Sequence, residues 1–109
     1  MTNPIVVVRN LVSPDDKPVG RWLIVWCPGC NALHAPAVIG EFGDRPDGPC
    51  WDWDGQLDPL TIFPSLLVSG PRCHSFIRNS HWEFLSDCEH ELAGQTVQMV
   101  PLPDWLVRE

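Results

Sequence analysis

The sequence predicts a small, mainly β domain, built as an antiparallel sheet or meander with one short helix. Twelve prolines and eight glycines in 109 residues interrupt the chain too often for long helices. Short runs rich in Val, Ile, Phe and Trp alternate with turn residues, a pattern typical of short strands. A chain of this length is expected to form one domain, residues 1–109.

Two β-branched runs predict the first two strands. Residues 4–9 (PIVVVR) form the first run, and residues 21–27 (RWLIVWC) form the second. The second run is apolar at consecutive positions, so we expect both of its faces to be covered. A further short strand is expected over 34–39, where Pro36 favours an edge position. Residues 40–49, rich in Gly, Asp and Pro, predict a loop.

The second half of the chain predicts three more strand regions. Residues 60–69 (LTIFPSLLVS) predict a strand that Pro64 interrupts. Residues 73–78 and 82–85 predict a hairpin, and residues 96–100 predict the last strand. On the first strand of this hairpin, alternate side chains starting at residue 73 share one face and those starting at residue 74 share the other.

The predicted helix covers residues 86–92. Ser86 and Glu89 fit a capping box at its start, and Gly94 fits the cap at its end.

The net charge limits the classes of partner. Seven basic against fourteen acidic side chains give a formal charge of −7. We therefore expect no binding to nucleic acid through its phosphates, which needs Lys and Arg, whereas an acidic surface suits solubility or a basic protein partner. No apolar run approaches the roughly 20 residues of a membrane span, and the first ten residues do not resemble a signal peptide. A cytoplasmic location is the expectation.

The cysteines predict a structural zinc site that staples the domain. Five cysteines are an odd number, and in the cytoplasm they are better explained as metal ligands than as disulfides. Cys27 and Cys30, separated by Pro-Gly, predict one half of the site. Cys73 and Cys88 are expected to supply the other half, because the hairpin brings them together. The alternative is that His74 replaces Cys73, or that His90 replaces Cys88, as a ligand.

Two other interpretations are disfavoured: that Cys27 and Cys30 form a redox-active pair, and that Cys50 is a metal ligand. A redox-active Cys-x-x-Cys pair needs a helix after the motif, and Pro36 makes a useful helix there improbable on sequence grounds. Cys50 lies between Pro49 and Trp51 and is expected to be a small buried residue. Asn31, directly after the motif, suits a positive φ.

Several side chains near the cysteines are candidates for catalysis. His34, His74 and His90 follow or adjoin cysteines and could form an open metal site or act as acid and base. Asp87 is a candidate general base, or the cap of the helix. The simpler alternative is that the histidines hydrogen-bond to sulfurs or buried carbonyls. Ser65 lacks the Gly-x-Ser-x-Gly context of hydrolases and is not expected to be a nucleophile.

Tryptophan alternates with aspartate in residues 51–54 (WDWD). In an extended segment this pattern places the rings of Trp51 and Trp53 on one face and the carboxylates on the other. We expect the two rings to anchor the core, and the alternative is a surface for a ligand or a protein partner.

Four stretches together resemble a known family. They are residues 26–30 (WCPGC) with His34, 51–55 (WDWDG), 59–65 (PLTIFPS), and 73–76 (CHSF) continuing through 84–97 (FLSDCEHELAGQTV). These stretches resemble an uncharacterised family of small zinc-binding proteins from tailed phages and prophages, some of them mislabelled ammonia monooxygenase. The resemblance implies a phage origin, a bound zinc ion and an intracellular site of action. Distant relatives encoded beside ubiquitin-like conjugation genes imply a peptidase or processing role.

These observations and the resemblance together predict that the protein acts by binding a host or phage protein. We expect a phage-encoded, zinc-binding accessory protein that acts in host interaction or anti-defence, and we favour this role over an enzyme. The alternative is a zinc-dependent hydrolase or peptidase that uses His34, His74 and His90 near the metal.

Overall fold

Two four-stranded antiparallel sheets and one two-stranded sheet are present in the computed structural model, which describes residues 3–12, 14–38 and 49–107. The strands are β1 (Val6–Val12), β2 (Pro18–Cys27), β3 (Ala32–His34), β4 (Ala37–Val38), β5 (Asp52–Trp53), β6 (Ile62–Phe63), β7 (Leu66–Val68), β8 (Cys73–Arg78), β9 (His81–Phe84) and β10 (Thr96–Gln98), and the helix is α1 (Asp104–Val107). The prediction of a mainly β fold with one short helix is confirmed.

The first sheet is organised around β2, its longest strand. β2 pairs with β1 along one edge and with β3 and β4 along the other. Its side chains alternate, so that Leu23, Val25 and Cys27 are fully buried while the residues between them are half-buried. The strand ends in the Cys-Pro-Gly-Cys turn, where Asn31 adopts the expected positive φ of 55° and its N–H donates to the Cys27 carbonyl at 2.8 Å.

The second sheet is a meander in the order β10-β9-β8-β7. The predicted hairpin is confirmed as β8 and β9, joined through Asn79 and Ser80 with φ of 51° and 59°. Two successive positive φ values define a turn whose twist matches that of paired strands. Along β8, Cys73 is buried and His74 is half-buried on the opposite face, so neighbouring residues serve the two sides of the sheet.

The core contains a stack of aromatic rings. Trp82 is completely buried, and its ring lies parallel to that of Phe84 with centroids 5.5 Å apart. The His34 ring meets Trp82 edge-on at 6.0 Å and thereby connects β3 with β9. Such contacts stabilise a small core beyond the burial of apolar area alone.

The helix predicted over residues 86–92 is wrong. These residues form turns, and the helix is instead α1, close to the C-terminal end of the described chain. The Glu89 N–H donates to the Arg72 carbonyl at 2.8 Å, and the Glu89 carboxylate accepts from the Arg72 N–H at 2.6 Å. These contacts with the start of β8 replace the capping box and the helical hydrogen bonds. Gly94 has the positive φ expected of a cap, 77°, but it ends a turn.

Two predicted strands are each divided. The region 34–39 contains parts of β3 and β4, separated by Pro36, and the region 60–69 contains β6 and β7, separated around Pro64 as expected. The predicted loop over 40–49 lies outside the described residues except for Pro49. Within the described chain, no helix has the length and apolar character needed to cross a membrane.

Replacing Trp82 with alanine should lower the free energy of unfolding by about 3–5 kcal/mol, because a large buried ring leaves a cavity. Urea unfolding of the purified protein measures this loss. The matched control is Trp105→Ala, since Trp105 is 64% exposed, and we expect it to change stability by less than about 0.5 kcal/mol. Equal losses in the two variants would contradict this core.

Candidate active site and metal centre

Three polar side chains form a hydrogen-bonded chain on the solvent-facing side of β7 and β8. The Ser65 hydroxyl lies 3.1 Å from His74 Nε2, and His74 Nδ1 lies 3.1 Å from Asp87 Oδ2. When Nδ1–H donates to the carboxylate, Nε2 keeps the lone pair that accepts the hydroxyl proton. The His74 and Asp87 side chains are 29% and 47% exposed, so a substrate can reach them. The order of contacts is that of a Ser-His-Asp triad.

Strand register brings Ser65 to His74. Leu67 of β7 pairs with His74 of β8, so Ser65, two residues before Leu67, lies diagonally from His74 on the same face. The indole N–H of Trp51 donates to the Ser65 carbonyl at 3.1 Å and fixes the backbone there. The serine therefore lies at the start of an exposed strand, and it is not in a strand-to-helix elbow.

The turn that carries Asp87 is fixed to β8 by the next residue, Cys88. The His74 N–H donates to Cys88 Sγ at 3.2 Å, and the Cys88 thiol donates to the His74 carbonyl at 3.1 Å. The contacts between Glu89 and Arg72 tie the same turn one step further along β8. The turn that carries Asp87 is thus held to the backbone of β8 by Cys88 on the buried side and by Glu89 on the exposed side.

Sulfur and imidazole donors collect behind the triad, on the buried side of β8. Two groups of described residues could each hold a metal ion, because their ligand atoms all lie within 4.8 Å of one another. The first group contains Cys27, Cys30, His34 and Cys73, and the second contains Cys73, Cys88 and His90. Cys73 belongs to both groups, with its sulfur 3.9 Å from Cys27 Sγ and 3.4 Å from His90 Nε2.

The backbone of the Cys-Pro-Gly-Cys turn helps to bring the members of this cluster together. The Cys30 N–H donates to Cys27 Sγ at 3.4 Å, as a backbone amide does for a ligating sulfur. The ring of His90 lies against Gly29, where any side chain would collide with it. Glycine in the turn therefore allows His90 to approach the cysteines.

His34 fits the role of a metal ligand. Its Nδ1 lies 3.0 Å from the Leu33 carbonyl, which accepts a hydrogen bond when Nδ1 carries the proton. Its Nε2 is buried and has no hydrogen-bond partner among the described residues. Burial lowers the pKa of His34, which favours the neutral ring that binds metals. A buried lone pair without a donor is satisfied by a bound cation.

The thiols fit a metal as well. Burial raises the pKa of Cys27 to about 11, and burial together with the neighbouring Cys27 and Cys30 raises the pKa of Cys73. Thiolates this close to one another are unfavourable without a compensating positive charge. The donors therefore suit a metal that prefers sulfur and nitrogen.

The predicted site residues fall into two sets. Cys27, Cys30 and Cys73 come together as expected, whereas Cys88 groups with Cys73 and His90. The choice between four thiols and three thiols with a histidine stays a prediction. Among the described residues, Cys50 is half-buried and belongs to neither group.

Among the catalytic candidates, His34 and His90 lie with the cysteines, while His74 and Asp87 lie together on the other side. Ser65, which the sequence does not predict to be a nucleophile because it lacks the Gly-x-Ser-x-Gly context, has its hydroxyl 3.1 Å from His74 Nε2. Alternation of side chains could have indicated the contact between His74 and Asp87. If Cys73 and Cys88 face inward, the adjacent residues His74 and Asp87 face outward on the same side, where a serine hydroxyl could complete the hydrogen-bonded chain.

The two tryptophans border separate cavities. Trp51 lines a cavity with residues of β4 and β7, and Trp53 lines a second one with Phe63. Both rings are half-buried and pack against the core, as expected of anchors.

Comparisons with known proteins point to one family. Residues 4–85 match the family model described as "BubE: Bacterial ubiquitination-like system serine protease (BubE)". No curated protein and no solved structure matches the chain. The matched range contains Ser65 and His74 and ends two residues before Asp87.

Binding of a divalent metal to the metal-free protein should release protons, because each thiol that becomes a ligand loses one. With Cys27, Cys30, Cys73 and neutral His34 as ligands, we expect about three protons per ion; with Cys88 in place of His34, about four. Calorimetry with zinc in buffers of different ionisation enthalpy counts them. It follows that metal affinity rises as pH rises.

The matched control for this count is Cys50→Ser, which should leave the number of released protons unchanged, whereas Cys27→Ser should lower both the number and the affinity. Release of less than one proton per ion would contradict thiolate coordination.

Proposed function

The chain belongs to the BubE family of bacterial ubiquitination-like system serine proteases, and on that premise we propose that it is a serine protease. Ser65 is the nucleophile, His74 the general base and Asp87 the carboxylate that orients the histidine. The observation that carries the proposal is the pair of 3.1 Å contacts that join these side chains in that order. Family membership alone would support a protease without saying which serine acts.

The proposed reaction is acyl transfer in two steps. The Ser65 oxygen attacks the carbonyl carbon of the substrate while His74 Nε2 takes the hydroxyl proton. His74 then gives this proton to the leaving amine or alcohol, and the acyl group remains on Ser65. Water then attacks the acyl carbon while His74 Nε2 takes a proton from it. The bond between that carbon and the Ser65 oxygen breaks, His74 returns the proton to the Ser65 oxygen, and the carboxylic acid is released. Asp87 holds the Nδ1–H tautomer and stabilises the imidazolium that forms at each step.

The proposal revises both functions expected from the sequence. Binding of a host or phage protein as the sole role has no supporting observation among the described residues. The alternative expected from the sequence, a zinc-dependent hydrolase, would use His34, His74 and His90 near the metal. His74 instead contacts Ser65 and Asp87 through its two ring nitrogens and belongs to neither group of candidate ligands. A role in a bacterial ubiquitination-like system agrees with the processing role that the resemblance implied. A phage origin has no support from the family match.

We propose that the bound metal is zinc and that its role is structural. Zinc favours tetrahedral sites of cysteine and histidine, and four protein ligands leave no position for a reacting water. Cys27, Cys30, His34 and Cys73 are the ligand set that the mutual distances favour. The ion would supply positive charge to the thiolates and link the first sheet to β8. All five cysteines are thiols, which agrees with a cytoplasmic location.

Substitutions in the triad should remove activity without unfolding the protein. Ser65→Ala should abolish covalent labelling by a fluorophosphonate, and Asp87→Asn should slow it by about 10⁴-fold, because the wrong histidine tautomer is favoured. Labelling followed by peptide mass mapping measures both effects. The matched control is Ser69→Ala, since Ser69 is exposed and nearby but outside the hydrogen-bonded chain. Labelling of Ser65→Ala at the rate of the unmodified protein would refute the assignment.

Removal of the metal should slow labelling of Ser65 in parallel with the loss of zinc, because Cys73 precedes His74 in the chain. Adding zinc back should restore the rate. Metal content by elemental analysis should be unchanged in Ser65→Ala, since the serine is not a ligand. Peptide hydrolysis that persists in Ser65→Ala and disappears with the metal would instead support zinc-dependent catalysis.

A further inference from the structure

A cavity of about 350 Å³ opens beside Ser65, at the edge of β7. In the described part of the chain β7 pairs only with β8, and all three residues of β7 line the cavity. The side chains that form its walls are mostly apolar and include those of Trp22, Pro36, Pro49, Trp51, Leu66 and Leu67.

The cavity and the nucleophile share the same structural elements. Trp51 forms one wall and also donates its indole N–H to the Ser65 carbonyl. Leu66 follows Ser65 directly, and Leu67 pairs with His74 across the strands. Leu67 is 62% exposed, an apolar surface next to the catalytic histidine that a bound substrate would cover.

The residue types that line the cavity determine which kind of substrate side chain it can bind. None of the described residues that line the cavity is Asp, Glu, Lys or Arg, and the only ionisable one is His34. A charged side chain placed there would lose its hydration without gaining a partner of opposite charge, which is costly. An apolar side chain would gain from burial against the tryptophan and leucine walls.

We propose that this cavity is the specificity pocket of the enzyme and that it receives an apolar side chain of an extended polypeptide, next to the carbonyl that Ser65 attacks. The inference rests on the proposed function. An extended peptide can pair its backbone with the edge of β7 that no described strand occupies, a common mode of peptide recognition. That pairing places alternate side chains toward the cavity, while the scissile carbonyl lies near Ser65.

The test uses thiobenzyl esters of acetylated glycine, leucine and aspartate, which differ only in the side chain offered to the cavity. We expect kcat/KM for the leucine ester to exceed that for glycine by about tenfold or more, with aspartate lowest. Ala35→Trp places a ring in the cavity from an exposed position and should bring leucine close to glycine. The control is Thr96→Trp on exposed β10, at the opposite edge of the sheet, which should keep the preference.

A small fluorophosphonate without an amino-acid side chain separates this inference from the proposed function. Equal labelling of Ser65 in Ala35→Trp and in the unmodified protein, with the leucine preference lost only in the variant, supports the pocket. Labelling of Ser65 without a leucine preference, or a preference that survives in Ala35→Trp, overturns the pocket and leaves the serine protease intact. Neither labelling nor ester hydrolysis in the unmodified protein overturns both.

Discussion

Alternation of side chains along β8 connects the metal cluster with the catalytic site. Cys73 points into the protein toward Cys27, and His74, the next residue, points outward toward Ser65. The turn after β9 repeats the arrangement, with Asp87 outside and Cys88 inside, where its thiol contacts both backbone groups of His74. A shift of the buried Cys73 or Cys88 sulfur would therefore change the position of His74 relative to Asp87.

This arrangement explains how a small β domain can hold a triad on an exposed sheet face. Larger hydrolases fix the nucleophile in a strained turn between a strand and a helix. Here Ser65 is held by the register of β7 against β8 and by the Trp51 indole, while the cysteine cluster fixes β8 from behind. A metal ion bound by the cysteine cluster would add rigidity under the proposed function without taking part in the chemistry, since the candidate ligands and the Ser65–His74–Asp87 chain lie on opposite faces of β8.

The parts of the fold that depend on residues close together in the sequence could be predicted from the sequence. The hairpin of β8 and β9 follows from strand alternation and from Asn79 and Ser80, which tolerate positive φ. The Cys-Pro-Gly-Cys turn is equally local. The helix over 86–92 could not be judged correctly, because Glu89 binds the backbone of Arg72, a residue seventeen positions away, and sequence propensity contains no information about that contact.

The triad was only half predictable for the same reason. His74 and Asp87 adjoin cysteines and could be noted as candidates, but Ser65 reaches His74 only through the pairing of Leu67 with His74. A shift of one residue in that register would turn the serine to the other face. The candidate metal ligands likewise depend on contacts between distant segments, since His34 groups with Cys27, Cys30 and Cys73 while Cys88 groups with Cys73 and His90.

The most direct measurement is the proton NMR resonance of the Nδ1–H that His74 donates to Asp87, because such protons resonate far downfield. We predict that this resonance is present in the zinc-loaded protein, disappears when a chelator removes the metal and returns when zinc is restored. It should be absent throughout from Asp87→Asn. A resonance that persists at the same position in the metal-free protein would contradict the claim that the cysteine cluster holds the triad together.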